Sequence, residues 1–188
     1  LELKDEVIIG ADREKVFRAL NDPNILKQAI PGCEAIEKTS DDNYNATVVS
    51  KIGPLKIRFK GQATISESNF PSDYKITGEG RGGPAGHAKV VASVSLTEKG
   101  KSTRLTYVVQ ADIGGKLAQL GGALVQKTAK KLSTQFFEHL NTLLSSNSLA
   151  EKDTEEISMT NSPTTNWAKV GAISTILVVG ILAWIVSK

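Results

Sequence analysis

The chain has 188 residues, enough for one domain with a sizeable core. Hydrophobic residues make up 40% and charged residues 23%, ordinary globular values that exclude a wholly disordered chain. A net charge of +3, from 23 Lys and Arg against 20 Asp and Glu, is too small and too scattered for a nucleic-acid surface; one cysteine and two histidines exclude an intrachain disulfide and leave few ligands for a transition metal.

Leu3, Val7 and Ile9 alternate with polar neighbours and predict a short strand ended by Gly10. Asp12 then caps a helical stretch that places Val16, Phe17 and Leu20 on one face. Asp22-Pro23 starts a second helix, which ends at Pro31-Gly32. From Glu34 to Asp112 six alternating runs are separated by short turns at Ser40–Asn43, Gly53-Pro54, Asn69–Ser72, the glycine-rich corner after Gly78, and Lys99-Gly100, the pattern of an antiparallel meander. Their apolar phase carries Leu55, Ile57 and Phe59, then Tyr74 and Ile76, then Val90, Ala92 and Val94, then Leu105, Tyr107 and Val109. After Gly114-Gly115, Leu117, Leu120, Leu124, Leu132, Phe136, Leu140 and Leu143 recur at helical spacing, which predicts one long amphipathic helix packed on the sheet. Gly121 and Gly122 lie on or beside its apolar stripe, where the missing side chains allow close packing or leave room for a ligand.

Residues 145–166 are rich in Ser, Thr, Asn and acid and read as a flexible linker after a domain of residues 1–144. Removing the charges of the linker and tail leaves +4 on that domain. Residues 167–187 hold a single charge, Lys169, and as a helix would span about 31 Å, enough to cross a bilayer, with Trp167 and Trp184 near the two interfaces. No charged-apolar-small signal precedes the first strand, so the expectation is a single-pass C-terminal anchor in the cell membrane with its domain on the cytoplasmic side, where the lone thiol Cys33 also fits.

Pro31-Gly32-Cys33-Glu34, Lys51-Ile52-Gly53-Pro54, the run from Gly78 to Ala88 and the run from Gly114 to Gly122 together resemble the carbon monoxide dehydrogenase G-subunit family, over residues 1 to about 143. The resemblance implies an α+β helix-grip fold of the START-like, polyketide-cyclase-like type: a seven-stranded antiparallel sheet wrapped around a long C-terminal helix, here followed by the transmembrane helix. It further implies a non-enzymatic accessory protein that recruits a molybdenum hydroxylase complex to the membrane bilayer and carries a hydrophobic quinone, menaquinone or similar, or another lipid. No covalently bound cofactor, metal or nucleic acid belongs to that expectation.

Candidate walls for an apolar cavity are Ile57, Phe59, Tyr74 and Tyr107 from the strands and Leu117, Leu120, Gly121 and Leu124 from the helix; aromatic walls suit a flat ring and tyrosine adds a hydroxyl for a carbonyl. Ordinary core packing accounts for the same residues. Gly78–Gly83 fits GxGxxG, but the strand that follows Pro84 removes the helix that a dinucleotide site requires. Cys33 has no base near it in sequence and reads as structural rather than nucleophilic. His139 falls at the polar edge of the helix; His87, at the start of a strand, is a candidate donor to a quinone oxygen. Lys127, Lys130 and Lys131 read as a solvated face or as contacts to headgroups or an acidic partner. Two other classes stay open: a helix-grip cyclase or hydrolase, which needs converging polar residues in the cavity, and a scaffold or maturation factor, whose interior would be filled by side chains.

Overall fold

The structure, a computed structural model, describes residues 1–152, with side chains through Ser145. The predicted linker beyond Lys152 and the apolar stretch 167–187 lie outside the described residues. Among those described, no helix is long and apolar enough to cross a membrane.

The elements follow the expected order: β1 (Glu2–Ile9), α1 (Arg13–Ala19), α2 (Pro23–Ala29), β2 (Cys33–Lys38), β3 (Asn43–Ile52), β4 (Leu55–Asn69), β5 (Asp73–Arg81), β6 (His87–Lys99), β7 (Ser102–Gly114) and α3 (Gly122–Lys152). The two short helices begin where their caps dictate. An Asp12 carboxylate oxygen accepts from the Lys15 N–H at 2.8 Å, and an Asp22 oxygen accepts from the Asn24 N–H at 2.8 Å, with Pro23 in the first turn. The seven strands form one antiparallel sheet in the order β1-β7-β6-β5-β4-β3-β2, so the two helices after β1 carry the chain across to the far edge.

Strand alternation sends Ile57, Phe59, Tyr74, Ile76, Val90, Val94, Leu105, Tyr107 and Val109 to the inner face, all buried, while Arg58, Lys60, Lys89 and Arg104 point outward and are exposed. The inner face closes on α3 through Val125, Ala129, Leu132, Phe136, Phe137, Leu140 and Leu144. Polar clamps hold the second half of α3 in place: Asn141 accepts from the Gly10 N–H at 3.0 Å and its amide donates to the Ile8 carbonyl, and His139 Nδ1 lies 3.0 Å from the Ala29 carbonyl oxygen. His139 is exposed, as its sequence position predicts, yet it ties α3 to α2.

Two expectations about the last helix change. The segment after Gly114 is not its first turn: Gly115–Leu120 forms a separate 3-10 segment, and Gly121, at φ 87°, turns the chain before α3 begins. The break resets the helical phase, so Val125, Ala129 and Phe137 are buried while Leu124 and Leu143 are half-buried. At the other end α3 runs through Lys152, past the Ser145 at which the linker composition begins.

Gly32, between α2 and β2, has φ 75°, and a Cβ there would stand 2.1 Å from the Val49 carbonyl oxygen, while the Val49 N–H donates to the Gly32 carbonyl at 2.8 Å. Gly32→Ala therefore forces a left-handed alanine against backbone, and a loss of at least about 2 kcal/mol of stability is expected in urea unfolding. An unchanged midpoint would contradict this packing.

Candidate functional site

Three connections meet at the end of the sheet where α3 begins: the β3–β4 turn at Gly53, the β5–β6 corner from Gly82 to Gly86, and the 3-10 segment leading to Gly121. They touch one another. A Cβ on Gly86 would lie 2.0 Å from the Gly114 carbonyl oxygen, and one on Gly115 would lie 2.6 Å from Gly86 Cα, so only glycines let these two backbones pass. Gly82 covers Phe59 and Ile57 so closely that a Cβ on it would stand 2.4 Å from Phe59 Cε1 and 2.8 Å from Ile57 Cγ2; Gly53 faces Leu124 in the same way, at 2.9 Å from Cδ2. Leu117 is fully buried in the 3-10 segment, Leu120 and Leu124 are half-buried, and Gly121 is exposed with open space where a side chain would go. Six of the eight residues predicted as cavity walls, Ile57, Phe59, Leu117, Leu120, Gly121 and Leu124, thus belong to this glycine-built end.

The two tyrosines do not join them. Tyr74 and Tyr107 share one cross-strand row through Val94, three rows deeper than Gly61, Gly80 and Ala88, and the rows between carry Ala63, Gly78, Ile76 and Ala92. Their rings turn to different partners. Tyr74 packs edge-on against Phe17 of α1 at 5.7 Å, and Phe17 in turn meets Phe70 at 4.9 Å. Tyr107 stacks on Phe137 of α3 at 5.6 Å and 30°, and its hydroxyl hydrogen-bonds Ser133. Burial pushes the Tyr74 hydroxyl well above its ordinary pKa. Burial also raises that of Tyr107, with the Asp5 carboxylate adding to the effect and the Ser133 hydrogen bond opposing it.

Ser133, Asp5 and Phe137 are the neighbours that sequence reasoning misses. Asp5 is visible as a carboxylate on the apolar phase of β1, between Leu3 and Val7, and the register sets it directly opposite Tyr107. Ser133 is buried beside Leu132 on the stripe, but the partner that explains it sits on β7.

The inner surface is closed. Ile57, Phe59, Tyr74, Tyr107 and Leu117 expose at most 4% of their area, which leaves almost no water-sized space against them. A recess of about 900 Å³ lies instead on the outer face of the sheet, lined by Gln62, Thr64, Thr77, Val91, Gln110 and Asp112 among others. His87 also faces outward, its ring against Gly114, so it does not reach the interior as a donor to a ligand there. Cys33 is half-buried, its thiol pKa raised by burial despite nearby Lys27, the opposite of an activated nucleophile. Among the described residues no group of His, Cys, Asp and Glu is placed to hold a metal ion.

With this architecture in view, the family model for the G subunit of carbon monoxide dehydrogenase (CoxG) matches residues 6–145. The chain belongs to that family. No curated protein matches it. A conserved protein of Geobacillus kaustophilus is similar in structure at TM-score 0.73 and 28% identity, over 78% of this chain and 96% of that one. A Thermus thermophilus protein (TM-score 0.61, 18% identity, 79% and 99% covered) and a START superfamily protein of Mycobacterium smegmatis (0.61, 14%, 77% and 97%) share the fold. The helix-grip expectation for the described domain holds.

The tyrosine environment has a measurable sign. In the unfolded chain Tyr74 ionises near pH 10, whereas in the fold it keeps its proton to higher pH, so above pH 10 the folded state binds more protons. Stability is therefore full below about pH 10 and falls as pH rises beyond it. Urea unfolding midpoints followed from about pH 8 to pH 11 should show this decline, and Tyr74→Phe should flatten it; an equal decline in the variant would assign the effect elsewhere.

Proposed function

We propose that this member of the CoxG family is a membrane-anchored, non-enzymatic accessory protein of a molybdenum hydroxylase of the carbon monoxide dehydrogenase type, which carries a hydrophobic quinone between bilayer and enzyme. The observation that carries the reading is the family match over residues 6–145, which spans β2 to β7 in full, the second half of β1 and most of α3. The apolar stretch 167–187 supplies the anchor, and the hydroxylase supplies the redox chemistry.

The route to the interior passes the glycine-built end. Leu120 and Leu124 are only half-buried, and Gly121 separates them without a side chain, so this is where the closed inner surface gives way with least loss of packing. Apolar burial, at about 25 cal/mol per Å², provides the affinity, and the Tyr107–Ser133 hydroxyl pair provides the polar contact that orients a carbonyl. Closed walls favour a second reading, in which the domain is a scaffold or maturation factor whose interior is ordinary core.

Extraction of the full-length protein from its native membrane in mild detergent, followed by mass spectrometry of its lipid-soluble content, separates the two. A stoichiometric quinone is expected in the unaltered protein and should be lost from Leu120→Trp/Leu124→Trp while circular dichroism stays unchanged. An empty protein that still co-purifies with a hydroxylase would establish the scaffold reading.

A further inference from the structure

The strand register lines up like charges on the outer face. Lys51 of β3 stands directly opposite Lys56 of β4, and Lys60 of β4 directly opposite Arg81 of β5; the imidazole of His87 of β6 extends the second row beyond Arg81. All five side chains are exposed. Like charges in directly opposed positions destabilise a sheet, and oppositely charged residues there would stabilise it.

Among the described residues no acid forms an ion pair with these cations. Glu34 is taken by Arg58 at 2.8 Å, Glu79 stands in register with Lys89, and Asp112 faces Lys89 from the other side. Lys51, Lys56, Lys60 and Arg81 make no ion pair or hydrogen bond through their side chains with another described residue. Elsewhere in the domain Arg13 pairs with Glu98, Arg18 with Glu14 and Lys75 with Glu67. Lys101 and Arg104 have no ion pair among the described residues but also no cation directly opposite them, so it is the opposition of like charges that sets the rows apart. Arg81 also forms the wall between two recesses of about 490 and 560 Å³, the first shared with Lys60 and Glu37, the second with His87 and Lys89.

We propose that the Lys51–Lys56 and Lys60–Arg81–His87 rows form the docking surface for an acidic protein face, that of the hydroxylase; the proposal rests on the accessory reading above for the partner's identity. Carboxylates laid across the row meet cations on adjacent strands spaced about 4.8 Å apart and replace the repulsion between them.

The direction of the chain leaves the rows accessible to a protein partner. The row lies at the end of the sheet where α3 begins, and α3, with 31 residues, carries the chain about 46 Å along its axis before residue 153. Only the fourteen residues 153–166 separate that point from the apolar stretch, and at full extension they reach at most about 50 Å. Attachment at the opposite end leaves the cationic rows at the end of the domain distant from the attachment point, open to a protein approaching from the aqueous side.

The test uses the full chain in nanodiscs of phosphatidylcholine and the purified hydroxylase of the same cells. Lys56→Glu/Lys60→Glu places an acid opposite Lys51 and another opposite Arg81, and Lys4→Glu/Lys101→Glu makes the same charge change away from the rows. The first variant should unfold at a higher urea concentration than the unaltered protein, yet associate with the hydroxylase about ten-fold more slowly at low salt, with a shallower salt dependence. The second should associate at the normal rate. Equal association by the unaltered protein and Lys56→Glu/Lys60→Glu, or equal slowing by both variants, would overturn the docking surface while leaving the accessory reading intact. Loss of hydroxylase binding on replacing phosphatidylcholine with phosphatidylglycerol would assign the rows to lipid headgroups and overturn it as well. Failure of the unaltered protein to bind the hydroxylase under any condition would remove the partner and both readings with it.

Discussion

One constraint governs the domain: a seven-stranded curved sheet has a single apolar face, and one helix must cover most of it. The helix-to-sheet contact uses Phe136 and Leu140, both without exposure, and is fixed in depth by the Asn141 bridge to Gly10 and Ile8. Because α3 lies along the inner face, the residues that lead into it cannot also be helical at the same phase; the 3-10 segment and the turn at Gly121 carry the chain from the sheet edge to the helix axis. Everything of functional interest at that end follows from this change of direction. The half-buried leucines, the touching glycine backbones and the cover over Phe59 all belong to the passage from β7 to α3.

The sheet is legible in the sequence because its signal is redundant. Each of β3 to β7 repeats the apolar alternation several times, and the intervening turns carry Gly, Pro, Asn or Asp, so an error in one strand does not displace the others. The helix start is less legible. Leu117 and Leu120 have the spacing of a helix that continues from Leu124, and a periodicity reading does not register a single glycine in a left-handed conformation. Gly121 stands out in the sequence as unusual, but its role as the break between two segments depends on where β7 ends in space.

The candidate walls divide along the same line. Ile57 and Phe59 lie where alternation puts them, and the fold gathers them with Leu117, Leu120, Gly121 and Leu124. Tyr74 and Tyr107 also lie on the expected face, but which neighbour a ring meets is set by α1 and α3 rather than by the strand that carries it. Phe17 and Phe137 come from segments 57 residues before Tyr74 and 30 after Tyr107, a pairing that no local pattern encodes. Charge alignment across strands is invisible for the same reason. Lys60, Arg81 and His87 are ordinary exposed residues until the register places them in one row.

The edges of the sheet impose a limit on self-association. One free edge, β1, carries Lys4, Asp5 and Glu6 in succession, and the other, β2, is only six residues long, shifts register between Cys33 and Ala35, and carries Glu34, Glu37 and Lys38. A strand from another molecule added to either edge would have to seat its backbone beside charges that lose their water, or follow a ladder that changes step after one residue. The domain is thereby protected from ribbon-like stacking even at the high local concentration that confinement to a surface would impose, so crowding need not lead to aggregation.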